Sequence, residues 1–170
     1  MAEQDALIVE AMIEIPTGSQ NKYEFDKARG LMRLDRVLFS PVYYPADYGF
    51  VPETLEEDGD PLDVMVLVTN PTLPGCLIDT RVVGALEMID NGSPDVKLLG
   101  VPIKDPRFSH VMHLNDVPPH VRREIEYFFQ TYKDLEGKKA IVNGWREVEY
   151  AAERVALARR AYADQPAKAR

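Results

Sequence analysis

Residues Arg81 to Ile103 read RVVGALEMIDNGSPDVKLLGVPI: two apolar runs joined by residues that favour turns. Runs rich in Val, Ile and Leu between Gly, Pro, Asn and Asp read as strands, so RVVGALEMI and VKLLGVPI are predicted to pair through NGSPD as a compact hairpin connection. The connection is bracketed by Asp90 and Asp95, and the hairpin brings these two carboxylates close together. Outward from it, LIVEAMIEIP (7–16), KYEFD (22–26), LMRLDRVL (31–38) and VMVLV (64–68) have the same character and are separated by turns bearing Gly, Pro and Asn. Short strands of this kind suit a closed or strongly bent sheet.

Two amphipathic helices follow. In the first, Asp116 is placed to cap, Pro118 and Pro119 suit the entry, and Val121, Ile125, Phe128, Tyr132 and Leu135 recur at helical spacing up to Gly137. After Gly144 and Trp145, residues Val148, Ala152, Val155 and Tyr162 mark a second. The fold expected is α+β, mainly β with helices packed outside. At 170 residues, a single domain over 1–163 is expected, followed by a frayed tail, DQPAKAR (164–170). The composition, 45% hydrophobic and 28% charged, is that of a globular chain. A net charge of -8 argues against electrostatic binding of nucleic acid. No apolar run approaches the roughly 20 residues that span a bilayer. The lone Cys76 and a start without a basic, then apolar, leader point to a reducing cytoplasm.

The chemistry concentrates in DGDPLD (58–63), three carboxylates within six residues that run into VMVLV. Carboxylates this close raise one another's pKa unless a cation lies among them. A solvated acidic turn is the plain alternative. With Asp90 and Asp95, however, five acidic groups stand at strand ends, where loops commonly build sites. Oxygen-only ligands point to a hard cation, and magnesium suits best because a few carboxylates and substrate phosphate oxygens commonly hold it. A calcium-binding EF-hand loop is excluded, since Leu62 and Thr69 occupy its fifth and twelfth positions. A phospho-aspartyl D-x-D motif follows its apolar strand, whereas here the apolar run comes after.

Basic residues accompany the acids. Lys22 and Glu24, two apart on a strand, share a face, with Tyr23 and Phe25 on the other, and Asp95 and Lys97 repeat the pattern. Either pair alone is an ordinary surface ion pair; both recurring beside the acidic cluster is more specific. Arg36 reads equally as an exposed strand residue, and Tyr48 and Tyr132 as half-buried tyrosines with wet polar tips. Lys133 adjoins Tyr132 at helical positions that do not share one narrow face. His110, His113 and His120 lack metal-like spacing and read as structural. Carboxylates that hold cations, beside Lys and Arg that take the remaining oxygens, suit a highly charged phosphate substrate.

EIPTGSQNKYE, LDRVLFSPVYYPADYGF, DGDPLDV, DNGSPDVK and FFQTYKDLEGK together resemble, in order and spacing, the soluble family I inorganic pyrophosphatases, over residues 8 to 150. The resemblance implies an OB-like five-stranded barrel flanked by two C-terminal helices. It also implies magnesium-dependent hydrolysis of pyrophosphate by direct attack of a metal-activated water. By the same resemblance Asp58, Asp63, Asp90 and Asp95 are expected to bind magnesium, with Glu14 and Glu24 as further acidic wall residues. Lys22, Arg36, Tyr48, Tyr132 and Lys133 resemble the phosphate-binding set, with Lys97 beside the metals. Asp60 resembles the aspartate that takes the proton from water, with Asp95 its competitor for that role. A homo-oligomer, a hexamer in bacterial members, is implied in the same way. The C-terminal helix matches the family poorly. A non-catalytic OB-like binding module is the rival reading, opposed by the complete set of aspartates.

Overall fold

The computed structural model of the chain describes residues 6–166, so the start of the chain and residues 167–170 of the expected frayed tail lie outside the described residues. Among the described residues, eight strands and two α-helices follow one another: β1 (Ile8–Ile15), β2 (Asn21–Asp26), β3 (Leu31–Val37), β4 (Asp47–Phe50), β5 (Asp63–Val66), β6 (Leu77–Asp90), β7 (Ser93–Pro102), α1 (Pro119–Thr131), β8 (Ala140–Glu147) and α2 (Val148–Ala163). Strands β1, β4, β5, β7 and β6 pair in that order, and β6 returns to pair with β1. This closes a five-stranded OB-like barrel and leaves no free edge within the ring. Strand β8 extends the sheet from β6, and β2 and β3 form a separate hairpin. The expected α+β class, with a barrel and two C-terminal helices, is the one the chain adopts.

The deciding hairpin forms, but more tightly than NGSPD implied. Asn91 and Gly92 alone make the turn, with φ of 49° and 81°, and Asp90 pairs with Ser93. Two successive positive φ values match the twist of the flanking strands, which is why Asn-Gly is favoured there. Nor are the strands uniformly short. The 14 residues of β6 let its first half pair with β1 and its second half with β8. Neither β4 nor β8 stood out in the sequence. The four-residue β4 contains Gly49, where an added Cβ would lie 1.8 Å from the Met12 carbonyl oxygen, so only glycine lets β1 and β4 approach this closely. In β8, Asn143 is the extra residue of a bulge and Gly144 takes a φ of 123°, which interrupts the alternation.

The barrel strands sort their side chains with period two. Met65 and Leu99 join Ile125, Phe128 and Phe129 of α1. Their neighbours Val64, Val66 and Leu98 join Ala151, Val155 and Ala158 of α2. Burial on both faces explains why these strands read as unbroken apolar runs. The first helix is shorter than its periodicity implied. It stops at Thr131, Pro118 takes the N-cap, and Asp116 instead accepts the backbone N–H groups of Met112 and His113. Leu135 is 65% exposed, and Gly137, at φ 71°, closes a separate short turn over Asp134–Glu136.

Candidate active site

A single cavity of about 610 Å³ opens where β1, β2, β5, the β6–β7 hairpin and the end of α1 meet. It gathers Glu14, Lys22, Glu24, Tyr48, Asp58, Asp60, Asp63, Asp90, Asp95, Lys97, Tyr132 and Lys133. Of the site residues expected from the sequence, only Arg36 is absent from this lining. It stands one step behind: Arg36 faces Lys22 across the β2–β3 pair, and its guanidinium binds Asp35 at 2.6 Å and Glu136 at 2.7 Å. Asp35 in turn lies 3.7 Å from Lys22. The three histidines are exposed and outside the cavity.

Lys97 organises the centre. Parallel pairing of β5 with β7 sets Asp63 beside Lys97, and Asp95, two residues earlier on β7, shares its face. The ammonium is 2% exposed. It donates to Asp63 at 2.9 Å, to both Asp95 oxygens at 3.1 and 3.2 Å, and to the Tyr48 hydroxyl at 2.8 Å. Burial works against this charge, but Asp63 and the other neighbours outweigh it and hold the Lys97 pKa well above that of a free lysine. Burial, reinforced by Asp63, also pushes the Tyr48 phenol up, so it remains protonated.

Tyr132 and Lys133 both reach the cavity although adjacent helical residues diverge. The reason is the early end of α1: Lys133, at φ -105° and ψ 4°, has left the helix. Its ammonium pairs with Asp90, as Lys22 pairs with Glu24. The loop carrying Asp58 and Asp60 is pinned from below. Thr54 accepts the Leu62 N–H at 2.9 Å, Leu55 donates to the Ala158 carbonyl on α2 at 3.0 Å, and Glu56 pairs with Arg154. Sequence reasoning missed Glu56 and Lys27, which also line the cavity. Glu56 adjoins the acidic motif and was within reach of notice, whereas nothing in the sequence marked Lys27.

Among the described residues no three carboxylate, histidine or cysteine groups converge as a ready-made metal cage; lysines neutralise several of the acids instead. The donor chemistry nevertheless suits a hard divalent cation. The Asp90 Oδ1 atom is buried without a hydrogen-bond partner. Burial first, and then Asp63 and Glu24, push the Glu14 carboxyl up to about 7 although it accepts the Phe25 N–H. The first is an acceptor position left open beside the Lys133 pair, and the second marks a carboxylate short of positive charge.

Glu14 therefore gives the metal-free protein a pH dependence. In the unfolded chain it ionises near 4.5 and in the folded one near 7, so between these values the folded state retains a proton that the unfolded state has lost. The contribution to stability is fully present below pH 4.5 and is lost as pH rises through 7. In chelator, Glu14→Gln is expected to exceed the parent in stability by up to ~3 kcal/mol at slightly alkaline pH, the two converging in acid. Denaturant unfolding across this range checks it, and equal stabilities in alkali would contradict it.

A carboxylate- and lysine-walled cavity on an OB-like barrel defines a class of enzyme built for small, highly charged anions. The inorganic pyrophosphatase family model matches residues 11–163. The inorganic pyrophosphatase of Geobacillus stearothermophilus is 60% identical over 145 residues, covering 85% of this chain and 88% of its own. That of Methanosarcina mazei is 51% identical, with 91% of each chain covered. The crystal structure of the Thermus thermophilus inorganic pyrophosphatase superposes with a TM-score of 0.90 at 46% identity, covering 95% of each chain. The chain belongs to the inorganic pyrophosphatase family, hydrolases of pyrophosphate, as its motifs implied.

Proposed function

We propose that the chain hydrolyses pyrophosphate to two phosphates with magnesium, by direct attack of water on one phosphorus and without a covalent enzyme intermediate. The carrying observation is that eight carboxylates and four lysines line one cavity. Asp58, Asp63, Asp90 and Asp95, helped by Glu14 and Glu24, would hold the magnesium ions. When bound, magnesium screens the pyrophosphate charge and lowers the pKa of the attacking water.

The protein's own groups do the remainder. Lys22, Lys97, Lys133, Tyr48 and Tyr132 bind phosphate oxygens, and Arg36 acts with them through Lys22 and Asp35. The lysines also stabilise the negative charge that grows on the departing phosphate. Asp60 accepts the proton of the attacking water, a role for which Asp95 is the competitor. In the metal-free protein burial, together with Asp58 and Glu24, raises the Asp60 pKa, and its carboxylate is free of hydrogen bonds and ion pairs among the described residues.

Phosphate release from pyrophosphate, with magnesium and with chelator, tests this reading; activity undiminished by chelator would contradict the metal's role. Pyrophosphate is expected to be hydrolysed in clear preference to ATP, because four lysines gathered in one cavity match a small, highly charged anion. Comparable rates on the two substrates would count against the assignment. The cytoplasmic location and hexameric assembly are carried on the resemblance. Exposed apolar residues such as Leu31, Phe39, Tyr43 and Leu73 support self-association.

A further inference from the structure

We infer that Lys27, at the tip of the β2–β3 hairpin, is a further substrate-binding residue that captures pyrophosphate at the mouth of the cavity. The inference rests on the pyrophosphatase reading of the site. Lys27 lies in the turn after β2, is exposed, and lines the same cavity as Asp58, Gly59 and Asp60.

What distinguishes it is the state of the charges around it. Lys22, Lys97 and Lys133 are each held by carboxylates of the cavity wall. At the hairpin tip, Arg29 and Arg33 both pair with Asp26, and Asp26 also accepts the Arg29 N–H. Lys27 alone among the cavity lysines has neither a hydrogen bond nor an ion pair within the described residues. Lys27 acts electrostatically on Asp60, whose ionised form it favours.

A chain of net charge -8 repels an anionic substrate on average. An unengaged ammonium at the rim supplies local attraction there and can bind an outer phosphate oxygen without first leaving a carboxylate. A rim charge of this kind acts on capture and on its salt dependence more than on the chemical step. Lys27 therefore belongs to substrate capture, whereas Asp60 belongs to proton transfer.

The test is steady-state hydrolysis of magnesium pyrophosphate by the parent, Lys27→Ala, Lys27→Arg and Arg29→Ala at low and high ionic strength. It is accompanied by calorimetric binding of methylenediphosphonate, a non-hydrolysable analogue. Lys27→Ala is expected to raise KM and the analogue's Kd about three- to tenfold at low ionic strength while leaving kcat within about twofold, with the difference shrinking as salt is added. Lys27→Arg and Arg29→Ala should resemble the parent. The inference is overturned if Lys27→Ala leaves KM and analogue binding unchanged, if it lowers kcat alone, or if Arg29→Ala matches it. A parent inactive on pyrophosphate would overturn the underlying reading instead, so the two failures are distinguishable.

Discussion

Lys97→Met is expected to destabilise the metal-free protein by about 2–4 kcal/mol and to abolish most of its activity. The ammonium is the shared partner of Asp63, Asp95 and Tyr48. A methionine fills a similar volume but leaves two carboxylates facing one another with no counter-charge. Removing one member of a wholly buried pair costs more, but here the Asp63 and Asp95 side chains retain 28% and 19% exposure through the cavity, and that water moderates the repulsion. The sign of the magnesium response is the more informative readout. A divalent cation supplies the positive charge the variant lacks, so adding magnesium should stabilise Lys97→Met more than it stabilises the parent. Activity should not return with it, because the ammonium that meets the phosphate oxygens is still missing. Chelator and magnesium unfolding curves for both proteins decide the matter. A variant as stable as the parent in chelator would show that Lys97 is not the counter-charge of this centre.

How much of this centre the sequence disclosed depended on whether local pattern or long-range register set each position. Lys22 with Glu24, and Asp95 with Lys97, were legible because a two-residue spacing fixes a shared strand face. The Asp90–Asp95 hairpin was legible because Asn-Gly has strong turn chemistry. That Asp63 lies beside Lys97 was not, since it follows from the parallel pairing of β5 with β7, and no local pattern encodes which strands become neighbours. Tyr132 and Lys133 were misread as divergent because the apolar spacing continues to Leu135. The helix actually ends at Thr131, and periodicity alone does not register a change from helix to turn. β8 was hidden for the opposite reason, its alternation broken by a bulge. Arg154 is far in sequence from the acidic loop that it supports through Glu56, so it carried no signal, and Lys27, though next to KYEFD, falls outside its two-residue pattern. The motif resemblance supplied the roles that pattern could not.

The sharpest expectation concerns the three aspartates that compete for metal and proton. Asp60→Asn is expected to bind magnesium nearly as the parent does, yet to lose about 10²- to 10⁴-fold in rate, the usual range for a general base. The asymmetry follows from their present partners. The Asp60 carboxylate has no hydrogen bond or ion pair among the described residues; only its backbone is engaged, its N–H donating to Asp58 at 2.9 Å and its carbonyl accepting the Glu56 N–H at 2.7 Å. Asp95, by contrast, commits both oxygens to Lys97, and Asp63 shares that ammonium. A carboxylate held so firmly is suited to fixing charge, whereas an unengaged one is able to take a proton. Asp63→Asn and Asp95→Asn should therefore weaken magnesium binding by about one to two orders of magnitude, the scale of a charge-assisted contact. The acidic limb of the pH-rate profile gives the independent check. Asp60 must be ionised to act, so the parent's rate should fall with decreasing pH as this carboxylate takes a proton. That limb should disappear in Asp60→Asn and persist in the other two variants. If Asp95→Asn removes the limb while Asp60→Asn retains it, Asp95 is the proton acceptor and Asp60 only positions the water.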